Sequence, residues 1–354
     1  MTTATMIRPE IRVFRATEGD VASTWGRAVA DLGQSRLAHA PEWFAVIRNA
    51  YGHEPLYLSA EDGGGRRGIL PAFIVRRPMV GAVVSSMPFL DSGGPCSSSA
   101  ALADALVEGL IAEARGVGAQ TVELRCPQKL GIGGEPMEHK VNLTLALPAD
   151  AAHLWQQLDG RVRNQIRKAE RSGLSVEFGG AERLGDFYAI FAARMRELGS
   201  PVHAQGFFGA MFQAFGSRAR VAVVRQGTTP VGSLIALGFK DTLVVPWASC
   251  LRSYATLCPN MLLYWETMRA GCREGFRQLD FGRSTRGSGT YRFKRQWGAE
   301  EEPLLWHTIR LNGRRPPVRA GTGRGTALLT GSWRRLPLAL TRSLGPRLRR
   351  YLTQ

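Results

Sequence analysis

The sequence is poor in the features that would narrow its chemistry at once. Its five cysteines (Cys96, Cys126, Cys250, Cys258, Cys272) are scattered over 354 residues, with no CxxC pair and no Cys/His cluster at zinc-like spacing. A disulfide framework and a metal centre are therefore not expected. No histidine stands at a supporting motif position, so Cys250, Cys258 and Cys272 read as small apolar fillers, not nucleophiles. No run approaches the roughly 18 apolar residues of a membrane span, and the first twenty residues lack the apolar core of a signal peptide. The expected compartment is a reducing cytoplasm. Acid is missing from the C-terminal end. From Arg310 to Gln354 there are eleven arginines and no Asp or Glu, so only +6 of the net charge of +17 belongs to the rest of the chain. Residues 311–354 read either as a disordered, solvated tail or, because Trp333, Leu336, Leu338, Leu340, Leu344, Leu348 and Tyr351 interleave with the arginines, as a segment lying on an anionic membrane at the inner membrane face. Pro337 and Pro346 would break such a helix into short pieces.

What is present is enough apolar material for real cores, 44% of a chain long enough for two domains. Residues 36–52 read as a helix entered at Pro41, with Trp43, Phe44, Ile47 and Ala50 on one face. Three short β-type runs follow (PLYLSA, ILPAFIVRR, GAVVSSMPF), then a helix opened by serines (SSSAALADALVEGLIAEARGVGA) and a strand (TVELRCP). The same order returns in ARVAVVRQ, VGSLIALGF, TLVVPWASC, a helix over 260–274 and the strand FRQLDFG. Helical spacing fills the interval between the copies. Two similar α/β units in tandem, 1–147 and 148–310, are the simplest account; one large mixed sheet could be built from the same elements.

A meander, a helix and a strand parallel to the third resemble the core of the Gcn5-related N-acetyltransferase (GNAT) fold. In that fold an acyl donor enters the gap between the splayed parallel strands, its phosphates facing the helix N-terminus. Here that terminus is placed at Asn260, a good N-cap residue. The glycine-rich segment by which acetyl-CoA enzymes approach the pyrophosphate does not precede it.

The stretch from Asn260 to Trp306 carries a more specific likeness. Asn260, Leu262, Leu263, Trp265, Gly275, Asp280-Phe281-Gly282, Gly289, Phe293-Lys294 and Trp297-Gly298 resemble the C-terminal signature of the FemAB family. RNQIRKAERSG (163–173) resembles the basic helix that opens the family's second domain, and SSMPFLDSGGP its first-domain strand and glycine pair. The shorter BioF2-like members, associated with exopolysaccharide and exosortase clusters, are the nearest in pattern. The resemblance implies a fold of two tandem GNAT domains in an α/β mixed sheet. It also implies transfer of an acyl or aminoacyl group to an amine of a cell-wall or exopolysaccharide precursor, without a permanently bound cofactor. The charged helical hairpin of the longer members is absent between Gly173 and Arg220, which leaves acyl-CoA or an acyl carrier open as donor beside aminoacyl-tRNA.

The resemblance makes Lys294 the cation that stabilises the tetrahedral oxyanion. Asp280, on an alternating strand, could accept or orient the proton of the attacking amine, or form a structural ion pair. Phe293 and Trp297, four apart, are expected to bury together. Arg283, Ser284, Thr285 and Arg286 form a small polar loop suited to phosphate. Asn260, Arg283, Ser284 and Thr285, with Arg163, Arg167 and Lys168 of the basic helix, are the expected donor-binding residues. Asp91, Gly93 and Gly94 are the expected acceptor side. Two other readings use the same residues: an RNA-binding module built on the basic helix and tail, and a non-catalytic envelope-assembly scaffold that keeps the fold.

Overall fold

The computed structural model describes residues 11–131, 136–311 and 324–353. Its strands are β1 (Arg12–Arg15), β2 (Glu54–Glu61), β3 (Arg67–Arg77), β4 (Gly81–Ser85), β5 (Cys96–Ser97), β6 (Ala119–Cys126), β7 (Met137–Ala146), β8 (Leu174–Gly179), β9 (Ala219–Gln226), β10 (Thr229–Phe239), β11 (Thr242–Cys250), β12 (Gln278–Thr285) and β13 (Glu300–Arg310). The helices are α1 (Glu18–Asp20), α2 (Gly26–Asp31), α3 (Glu42–Tyr51), α4 (Ala100–Gly116), α5 (Ala151–Gln157), α6 (Gly160–Arg171), α7 (Leu184–Leu198), α8 (Gln205–Phe215), α9 (Pro259–Arg273), α10 (Gly289–Arg295), α11 (Arg324–Arg335) and α12 (Leu338–Arg349).

Both copies of the repeated order are present. In the first, β2, β3 and β4 form an antiparallel meander and β6 returns parallel to β4 after α4. In the second, β9, β10 and β11 form the meander and β12 returns parallel to β11 after α9. The copies are fused. The described strands join one mixed sheet in the order β1-β2-β3-β4-β6-β13-β7-β12-β11-β10-β9-β8, with the short β5 pairing β3 off this path. Strand β7, which precedes residue 148, pairs with β12 of the second copy, while β13 pairs with β6 of the first. Tandem units and a single sheet are therefore one and the same architecture.

Alternation along the strands divides the core. On β3, Leu70, Ala72 and Ile74 face α4, whereas Ile69 and Phe73 face the opposite layer. On β10, Leu234 and Ala236 face α6 and α9, whereas Ile235 and Leu237 join α3, α7 and α8. That opposite layer is aromatic: Trp43, Phe187, Phe207, Phe208 and Trp247 are buried within it, each worth roughly 1.5–3 kcal/mol of transfer free energy. No side chain of β6, β13, β7 or β12 joins this layer among the described residues. The four central strands thus leave a polar trench where the helices of the two copies stand apart.

The C-terminal reading needs correction. Residues 312–323 lie outside the described residues, but 324–353 are not a solvated tail. Helices α11 and α12 pack on α7. Thr341, Gly345 and Thr353 are buried, and the last residues run back to the trench.

Candidate active site

The site begins where β11 and β12 part. They pair in parallel only from Thr242–Val244 to Gln278–Asp280 and then diverge. On its other edge β12 breaks register with β7 between Asp280 and Arg283. The break falls on Gly282, whose φ of +72° favours glycine. A Cβ there would also stand 2.7 Å from Asp91 Oδ2. The carbonyls exposed by this irregularity are taken by Lys294. Its Nζ donates to Gly282 O at 2.9 Å and to Arg283 O at 2.9 Å. Helix α10, capped by Ser288 Oγ accepting from Tyr291 N, delivers the lysine because Phe293 and Trp297 anchor its other side in the core. Burial lowers the ammonium to about 8, against the pull of Asp91 and Asp280. An ammonium has three donors, and the third has no partner among the described residues.

Cross-strand pairs place the other groups on one face. Arg283 lies opposite Asn142, Asn142 opposite Glu302, and Trp306 opposite Arg125, and directly opposed residues share a face. Asp280 accepts from Gly282 N at 2.7 Å and from Asn142 Nδ2 at 3.1 Å. Desolvation raises its carboxyl although both hydrogen bonds oppose the rise. Asp91 clamps the two copies together, accepting from Arg283 N at 2.8 Å and pairing with Arg283 Nε at 3.1 Å. Arg125 and Arg283 lie over the Trp306 ring, 4.8 and 5.5 Å from its centroid. Asn142 Oδ1, Arg283 Nη1 and Trp306 Nε1 are buried on this trench floor without partners. Buried polar atoms are normally satisfied, so three orphans on one floor leave hydrogen-bonding capacity unspent there.

Asp91 sits on the loop 86–95, whose close packing explains its glycines. Gly93 N and Gly94 N both donate to Arg125 O at 3.0 Å. A Cβ on Gly93 would lie 2.6 Å from Met87, and one on Gly94 2.5 Å from Cys126. These glycines hold the loop; they offer no amide to a ligand. His39 completes the support. Arg36 N donates to its Nδ1 at 3.0 Å, so Nε2 carries the proton and donates to Gly94 O at 2.9 Å. Burial holds this imidazole near pKa 4 and hence neutral. Arg36 itself pairs with Glu302 at 2.6 Å.

The expected donor residues divide. Arg283 is in the trench. Ser284, pointing to the opposite face, has a buried hydroxyl without a partner, and Thr285 accepts from Lys140 Nζ at 2.6 Å. Asn260 does not cap α9: Cys258 does, at φ +59°, with Pro259 at the first helical position. Asn260 is exposed inside the first turn. On α6, Arg163 donates to the Trp155 and Gln156 carbonyls, and Arg167 lies 5.4 Å over the Trp155 ring. Lys168 is exposed. Among the described residues no hydrogen bond or ion pair joins α6 to the Lys294 cluster. Arg36, Arg125, Asn142, Glu302 and Trp306 are site residues that sequence reasoning missed. The available signal was a polar residue interrupting an apolar alternation, as Asn142 does between Val141 and Leu143.

An antiparallel meander, a helix and a strand returning parallel, present in both copies, make a tandem GNAT architecture, and the comparisons agree. Residues 157–295 match the acetyltransferase (GNAT) domain, a span that closes just after Lys294. Among solved structures, FemX superposes with a TM-score of 0.61 at 11% identity, covering 83% of this chain and 96% of FemX. A tandem GNAT protein from the clavulanic acid biosynthesis pathway gives 0.53 at 11%, covering 86% of this chain and all of its own. L-PGS from Bacillus licheniformis gives 0.52 at 12%, covering 84% and 98%. At such identities the likeness is one of fold, and at that level the resemblance to FemAB-like GNAT-fold proteins holds. No curated protein sequence matches the chain.

Proposed function

We propose that this protein is an N-acyltransferase that moves an acyl or aminoacyl group from an activated donor to an amine of a cell-envelope or exopolysaccharide precursor. The carrying observation is the buried Lys294 ammonium at the parting of β11 and β12, two carboxylates beside it and one N–H unspent. In this reading the donor carbonyl enters the gap with its oxygen toward Lys294. The acceptor amine lies in the trench near Asp280 and Asp91. Its nitrogen attacks the carbonyl carbon, forming the N–C bond, and the oxyanion is met by the preorganised ammonium. Asp280, whose carboxyl is pushed up by desolvation, takes the amine proton and returns it to the leaving thiolate or alkoxide as the C–S or C–O bond breaks. The donor is an acyl-CoA, an acyl carrier or an aminoacyl-tRNA, and the GNAT domain favours a thioester. Envelope chemistry is supported by the fold shared with FemX.

The test is a transfer assay with a panel of acyl-CoAs and aminoacyl-tRNA, an envelope extract as acceptor and mass-spectrometric detection of the adduct. Product that disappears in Lys294→Met and Asp280→Asn supports the reading. A Lys294→Met protein that turns over like the unaltered one refutes it.

A further inference from the structure

The transfer reading leaves the C-terminal helix pair without a task. Its inner side is a built interface. Gly345 packs so tightly on Val202 that a Cβ would lie 3.0 Å from the Val202 backbone nitrogen, Thr341 is buried, and Arg334 Nη2 reaches Leu198 O at 3.4 Å. Its outer side inverts the usual rule. Leu340, Leu344 and Leu348 are 46, 40 and 47% exposed. Four residues apart on α12, they form one stripe along the helix. Leu329 on α11 is 74% exposed and Leu198, beside it at the end of α7, 48%. Five of the eight large apolar side chains exposed among the described residues thus gather at one corner.

Arginine surrounds them. Residues 324–353 contain seven arginines and no acid. Arg349 and Arg350 turn inward, to His203 and to the Tyr51 carbonyl. Arg334, Arg335, Arg342 and Arg347 remain exposed, and Arg347 borders the leucine stripe by helical position. A solvated surface helix would keep its leucines inside, and a nucleic-acid face would have no use for an aliphatic stripe, since bases stack on aromatic rings. Leucines and arginines sharing one acid-free outer face fit a bilayer, with the apolar groups below the headgroups and the cations among the phosphates.

We propose that the outer face of α11–α12, carried by Leu329, Leu340, Leu344 and Leu348 with Arg335 and Arg347, docks the folded protein on an anionic lipid bilayer. The inference is independent of the transfer reading. It is tested without substrate, by sedimenting the full-length protein with vesicles of phosphatidylcholine alone or with about one-third phosphatidylglycerol. Binding is expected to the anionic vesicles and to weaken at least tenfold between about 0.1 M and about 0.5 M salt, as screening of exposed charges requires. Leu340→Ser/Leu344→Ser/Leu348→Ser should lose roughly tenfold or more of that affinity, since each inserted aliphatic group contributes separately. Its thermal unfolding should remain one cooperative transition, lowered by about a few degrees at most, because nearly half of each side chain is already in solvent. Failure of the unaltered protein to bind anionic vesicles overturns the proposal. So does a leucine variant that binds them undiminished, for the arginines would then act alone. Retention of RNA in preference to vesicles, unchanged in the leucine variant, overturns it in favour of a nucleic-acid face.

Discussion

Replacing Lys294 with methionine should separate stability from function, and the pH dependence of the separation is set by the geometry. The lysine is held at about 8 in the fold against an ordinary 10.5, which at about 1.4 kcal/mol per pH unit corresponds to about 3 kcal/mol opposing the charged form in the native state. Between these two values the unfolded chain binds more protons than the folded one, so the lysine's contribution to stability rises with pH across that window. Below about pH 8 the native state carries the full cost; above 10.5 it carries none. The Met variant lacks this term but orphans the Gly282 and Arg283 carbonyls, a loss of about 1–3 kcal/mol each that does not vary with pH. The difference in unfolding free energy between the two proteins, measured in urea at intervals from pH 7 to pH 10.5, should therefore swing by about 3 kcal/mol in favour of the lysine protein. Transfer should behave oppositely: the Met variant should lose on the order of a hundredfold or more in kcat. The unaltered enzyme should decline as pH rises through about 8, where the ammonium loses its proton. A stability difference that is flat with pH would show that Lys294 is not a buried cation and would remove the physical basis of its assignment.

The sequence reached some of this and missed the rest for physical reasons. Strands such as β3 and β10 and helix α4 were legible because short apolar runs bounded by turns, and caps, are local. Lys294 and Asp91 were reachable because a short motif carries each. The exchange of β7 and β13 was not, because alternation states which face a strand buries and is silent about its neighbour. That choice brings Asn142, Glu302 and Trp306 to the trench, so a site made by strand pairing stayed hidden. The start of α9 was misplaced by one cue outweighing another: Asn260 is a good cap residue, but Pro259 belongs at the first helical position. In the C-terminal helices the pattern itself misleads. Small Thr341 and Gly345 allow close approach to α7, and the leucines face out, so amphipathicity points the wrong way. Arg163 and Arg167 show the same gap for charge, since spacing revealed a basic face without revealing that Trp155 and its neighbours engage both.

Two further perturbations probe the clamp and the C-terminal strap. Gly282→Ala should lower the urea midpoint by roughly 2–4 kcal/mol of stability, adding a left-handed alanine to the displacement of Asp91 from Arg283; a midpoint unchanged within error would mean that the close approach is relieved elsewhere. The strap allows a sharper test. Thr353 O accepts from Arg125 Nη2 and from Phe89 N, and Thr353 Oγ1 donates to Glu123 Oε2 at 2.7 Å. Arg125 is buried, held at about 10 by desolvation and by repulsion from Arg283, with Glu123 and Asp91 opposing. Ending the chain after Arg350 leaves that guanidinium short of a partner and should destabilise by about 1–3 kcal/mol. Arg125→Leu alone should cost a similar amount, because it takes the guanidinium donor from Leu90 O and one of two donors from Thr353 O, which keeps Phe89 N. Combined, the two changes remove donor and acceptor together, so the double variant should be more stable than the sum predicts by at least about 1 kcal/mol. Strict additivity would mean that the strap lies beside Arg125 without being energetically coupled to it, and that the trench wall stands without the C-terminus.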